Sequence, residues 1–150
     1  MFWNYLPVCR IMRGDYDFLN EDKLRNIRNT HKKNYNCGGY ALKTFSWYMP
    51  QHKSEYGNRT SIFAEMVESI LEDFPNLRRI QDPNQVNPKT EIIAFRINYC
   101  GHDFHFLRRA ANGHWFHKRG ATNYIDTITK KEVFSDCWCD CYYGEIAWFV

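Results

Sequence analysis

Glu91-Ile92-Ile93-Ala94-Phe95-Arg96-Ile97 is a run rich in β-branched and aromatic residues, and it marks the point where the character of the chain changes from helix to strand. Upstream, the order Ile62, Phe63, Met66, Val67, Ile70, Leu71, Phe74 carries the strongest 3.6-residue period in the chain. It starts at Thr60 and is stopped by Pro75. Such a stripe is core rather than a cofactor box. Earlier still, Cys37, Ala41, Phe45 and Tyr48 lie at helical spacing, so a helix is expected from Cys37 to Met49, closed by Pro50. Another is expected over about 21–33, because Asn20 followed by Glu21 and Asp22 is a good helix start. Downstream, strands are expected over 103–109, 114–117, about 124–128 and 144–150. Helices first and strands after predict an α+β domain, with N-terminal helices packed on a C-terminal antiparallel β-sheet.

A chain of 150 residues, 44% hydrophobic and 17% aromatic, is the size of one globular domain with ample core, and no linker or repeat divides residues 1–150. Its 20 basic and 17 acidic residues are spread along the whole length, so neither a nucleic-acid nor a membrane partner is expected. No run approaches the roughly 18 apolar residues of a spanning helix, and the amino terminus lacks the pattern of an export signal, which predicts a cytoplasmic location. The six cysteines are then expected as free thiols.

Chemistry concentrates in Asn34-Tyr35-Asn36-Cys37-Gly38-Gly39-Tyr40. A cysteine at a helix amino terminus, with Asn36 as the cap, should have its thiolate favoured and its pKa lowered. Two glycines in the first turn weaken a helix, by about 1 kcal/mol each relative to alanine, which fits a close approach by a facing strand or a substrate chain. Ala110-Ala111-Asn112-Gly113 separates two short β-type runs and signals a hairpin. With a loop of three residues or five, His105 and His117 share one face of the sheet; with two or four they do not.

These residues resemble the NlpC-type cysteine peptidases, a compact branch of the papain-like superfamily. Asn36-Cys37-Gly38-Gly39-Tyr40 is similar to that family's nucleophile motif, Pro88 to Phe95 to the element before its histidine, and His105 and His117 to its histidine and following polar residue. Asn36, Gly38 and Pro88-Lys89-Thr90 depart from the family's usual acid, serine and Pro-Gly-Asp, and the region after 120 has no counterpart.

The resemblance implies a papain-like core and cleavage of an amide or peptide bond in a protein or cell-wall peptide, with thioester or ester transfer open to the same groups. Cys37 would attack a carbonyl carbon, His105 would carry the proton, and His117 would orient the base. Asp126 or Asn123 are alternatives for that orienting part. The Cys37 amide would stabilise the oxyanion, helped by Tyr35 as the resemblance implies. No cofactor or metal is expected, and the oligomeric state is not legible.

Two other classes compete. Asp136-Cys137-Trp138-Cys139-Asp140-Cys141, with Cys100 and His102, could make a zinc-stabilised binding module, although cysteines at alternate positions suit one tetrahedral ion poorly. A non-enzymatic interaction or inhibitor protein could use aromatics such as Trp3, Tyr5, Tyr16, Tyr142 and Tyr143 as a partner surface. His102 and His114 read as surface residues, and His31 and His52 have no supporting context.

Overall fold

The structure, a computed structural model, describes residues 34–120 and 124–150. The helix expected over 21–33, Asn123, and the aromatics Trp3, Tyr5 and Tyr16 lie outside those residues.

Along the chain come helix α1 (Cys37–Ala41), helix α2 (Arg59–Asp73), strands β1 (Arg79–Ile80), β2 (Ile92–Asn98), β3 (Phe104–Arg109), β4 (Trp115–Lys118) and β5 (Ile125–Ile128), helix α3 (Lys130–Val133), and strands β6 (Cys137–Trp138) and β7 (Tyr142–Phe149). All seven strands join one sheet in the order β1-β7-β2-β3-β4-β5, with β6 paired to β7, and every pairing is antiparallel. The described residues are thus mostly an antiparallel sheet with few and mostly short helices. This corrects the expectation of an N-terminal helical region packed on a papain-like core.

Backbone geometry accounts for part of that correction. The helix expected from Cys37 to Met49 stops after Ala41, because Lys43 (φ 59°) and Phe45 (φ 52°) take the left-handed conformation and turn the chain away. By contrast, the long period from Thr60 to Phe74 folds as α2 and buries Ile62, Phe63, Met66, Val67 and Ile70, each worth about 1.5–3 kcal/mol when fully removed from water.

Side chains alternate across the sheet. On β3, Phe104 and Phe106 join the core under α2 and Cys37, while Leu107 joins the opposite core with Trp115, Trp138 and Trp148. His105 contacts Trp138 and Tyr142 on that second side. The hairpin between β3 and β4 closes as the Asn-Gly pair predicts: Ala110 N–H donates to His114 O at 2.9 Å, and Gly113 takes φ 86° to complete a three-residue loop. An odd loop sets His105 and His117 on one face.

The β3–β4 ladder registers only Arg108 with Phe116 and Arg109 with Trp115. Beyond those pairs the strands part, and α1 contacts both of them. Lys118, fully buried, donates from Nζ to the Tyr35 carbonyl at 2.7 Å and to that of Gly120, and lies 4.8 Å from the centroid of the Tyr35 ring. It ties the chain entering α1 to the end of β4.

Candidate active site

Where β3 and β4 part there is a cleft of about 420 Å³, and its lining includes Asn36, Cys37, Asp103, His105, Arg119 and Cys139. Asn36 is built into its wall. The Asn36 side chain caps α1 by accepting from Gly39 N at 3.1 Å, accepts again from Tyr48 N at 3.0 Å, and donates to Tyr48 O at 2.7 Å. The two glycines admit this chain's own backbone and rings. A Cβ on Gly39 would stand 1.9 Å from the Ser46 carbonyl oxygen, and one on Gly38 would meet the rings of Tyr48 and Phe106 at 3.1 and 3.2 Å.

Cys37 is only 6% exposed. Burial pushes its thiol up to about 12, although the backbone N–H of Phe106, the N–H of Gly38 and the charge of Lys118 work in the opposite direction; Asp103 adds to the rise. The expected lowering does not occur, because a five-residue helix carries too little dipole to offset desolvation. Cys37 therefore rests as a thiol.

His105 and His117 form a buried pair, with His105 Nε2 2.9 Å from His117 Nδ1 and the rings nearly edge to face. Burial, then mutual repulsion between the two rings and that of Arg119, pulls His105 down to about 3. Burial and Arg119 pull His117 down to about 4 against the carboxylates of Asp126 and Glu132. Both imidazoles are neutral at physiological pH, and Tyr142 stacks on His105 with centroids 5.2 Å apart. Asp126 stands directly across from His117 in the β4–β5 ladder.

Cys37, His105 and Asn36 therefore border one cleft, and His117 backs His105. Tyr35 does not line it: fully buried, it packs in a separate cluster with Tyr40, Phe45 and Phe116. Cys37 and His105 lie on opposite sides of the sheet and line the same cleft, with no hydrogen bond between them among the described residues.

Sequence reading passed over Asp103 and Arg119 in the cleft, and the proximity of Cys139 to the histidines: one nitrogen from each ring and the Cys139 sulfur lie within 4.8 Å of one another. Cys139 does not share a strand face with Cys137 and Cys141 as alternate spacing predicts, because Cys139 and Asp140 form the turn between β6 and β7. A β-rich flank on each side of Cys-Asp was the available signal. A separate thiol–imidazole contact, Cys100 Sγ to His102 Nδ1 at 2.7 Å, sits on the loop between β2 and β3, where His102 also stacks on Tyr56.

Residues 26–150 match the family model described as Domain of unknown function (DUF7689), and the chain belongs to that family. A relative named Insoluble matrix shell protein 1, from Ruditapes philippinarum, is 30% identical over 104 residues, which make up 68% of this chain and 66% of that protein. The match thus spans just under two thirds of that relative's length. No solved structure matches the chain. No helix among the described residues is long and apolar enough to cross a membrane.

Proposed function

We propose that this member of the DUF7689 family is a cysteine-dependent hydrolase that cleaves an amide or peptide bond in the cleft between β3 and β4. The observation that carries the reading is that Cys37 and His105 border one cleft while His105 Nε2 is already held by His117 Nδ1. The other ring nitrogen, Nδ1, makes no hydrogen bond among the described residues.

In the tautomer this reading uses, His105 Nε2–H donates and His117 Nδ1 accepts across the 2.9 Å contact, with the carboxylates of Asp126 and Glu132 favouring positive charge on the His117 ring. That leaves a lone pair on His105 Nδ1. As the Cys37 sulfur bonds to the substrate carbonyl carbon, its proton passes to Nδ1, and His117 holds the imidazolium that forms. The proton then goes to the leaving amine, the C–N bond breaks, and water attacks the thioester by the same route to release the acid. Because both groups rest neutral, charge develops only during attack. Arg119, on the cleft wall, and the Phe106 and Gly38 amides beside the sulfur supply positive potential for the oxyanion.

Acid-quenched mass spectrometry after mixing with p-nitrophenyl acetate tests the reading. The expected result is an acetyl group on Cys37 whose formation slows by about 100-fold or more in His105→Asn. Equal acetylation of Cys37 in that variant, or acetyl only on other thiols, would refute it.

A second reading is a non-catalytic matrix or interaction protein, which the name of the relative from Ruditapes philippinarum favours. It predicts no acyl intermediate on Cys37.

A further inference from the structure

We infer that His105, His117 and Cys139 form a binding site for a divalent cation of zinc type, at the back of the cleft's base. Three observations support the site. The ligating groups are already gathered: one nitrogen from each ring and the Cys139 sulfur lie within 4.8 Å of one another, and the rings themselves touch through His105 Nε2 and His117 Nδ1 at 2.9 Å. This is the borderline-soft donor set that zinc prefers over calcium or magnesium.

The sulfur is delivered by a costly piece of backbone. Cys139 (φ 52°) and Asp140 (φ 60°) both take the left-handed conformation in the three-residue loop between β6 and β7, where Cys141 N–H donates to Trp138 O at 3.1 Å. Glycine or asparagine ordinarily fills such positions, and cysteine there is uncommon. Strain of this kind collects at functional sites.

The rings are held from outside the donor set, as metal-bound histidines usually are. Tyr142 stacks on His105, and Asp126 faces His117 across the ladder. Three protein donors leave one tetrahedral position open. Cys139 borders both the Cys37 cleft and a second pocket on the Asp126 side, so a water molecule has access to that position.

In binding, the cation takes the lone pairs of His105 Nε2 and His117 Nδ1; the His105 proton moves from Nε2 to Nδ1, so the ring ligates as neutral imidazole, and the Cys139 thiol gives up its proton to solvent to ligate as thiolate. Zinc–nitrogen bonds of about 2.0–2.1 Å at a tetrahedral angle need the nitrogens ~3.3 Å apart, a small widening of the present pair. The regulatory consequence rests on the hydrolase reading: a His105 whose Nε2 is on a cation is a poor base at Nδ1, so the metal would switch Cys37 chemistry off.

Cobalt(II) titration of the full chain, followed by absorption, reads the site without activity. One equivalent should produce visible tetrahedral bands and a near-ultraviolet sulfur-to-cobalt band. Cys139→Ser should lose the sulfur band and bind at least about 100-fold more weakly, more than outer-shell losses cost. His117→Gln should bind weakly too, whereas Cys37→Ala should titrate as the parent does. Absence of stoichiometric cobalt, an unchanged spectrum in Cys139→Ser, or loss of the sulfur band in Cys37→Ala would overturn the site. Zinc should also block acetylation of Cys37 in the parent, reversibly with EDTA; acetylation that continues in zinc-loaded protein would overturn the switch. Normal cobalt spectra with no acetylation of Cys37 under any condition would leave the site standing and remove the hydrolase reading alone.

Discussion

At the scale of single residues, the position of Cys37 is fixed by what surrounds it. Asn36 makes three hydrogen bonds that pin the residue before it, and Gly39 lets the Ser46 carbonyl approach closer than any side chain would allow. Since that obstruction is backbone, a methyl group there has no flexible neighbour to displace. Gly39→Ala should cost about 3 kcal/mol, at the upper end for overpacking, and urea denaturation would show it as a lowered midpoint. A cost under about 0.5 kcal/mol would mean that the turn from Lys43 to Tyr48 is not held against α1. The cap and the need for glycine were legible in the sequence. The thiol's direction was not, because a helix start is a local signal whereas desolvation depends on side chains brought from β3 and α2.

Among elements, legibility followed length and period. Helix α2 and strands β2 to β5 lie within a residue or two of where the apolar pattern predicts them, since each repeats its signal often enough to outweigh local noise. Strands β1 and β6 have two residues each, too few to alternate, and the turn from β6 to β7 uses Cys-Asp where glycine would have announced it. The odd loop between β3 and β4 was foreseen as one of two families of outcome, and the structure selects it. What no periodicity could reveal is the parting of β3 from β4 after two registered pairs. Lys118 ties the chain entering α1 to the end of β4 beside that gap, and Lys118→Met should leave the carbonyls of Tyr35 and Gly120 short of a donor and cost ~3 kcal/mol. The check is a thermal melt: a transition within about 1 °C of the parent would remove Lys118 from its bridging part.

For the molecule as a whole, the candidate site belongs to no one element. Cys37 comes from α1, His105 and His117 from adjoining strands, and Cys139 from a turn 22 positions beyond His117, so only the assembled sheet brings them together. Sequence analysis linked the first three through resemblance, but the fold that the resemblance implied is not the one observed. It did not link the fourth, because the path from His117 to Cys139 runs through β5, α3 and β6. The central claim is that His105 receives the proton of Cys37. The measurement that reaches it most directly is the rate of Cys37 alkylation by iodoacetamide against pH, in the parent and in His105→Asn. Burial raises the thiol to about 12, so its neutral form persists below pH 9, and thiolate appears only as pH climbs toward that value. Without the imidazole, labelling should therefore be slow at pH 7 and rise about tenfold per unit toward pH 12. With it, labelling at pH 7 should be at least tenfold faster than in the variant, and flatter. Superimposable profiles would contradict the account.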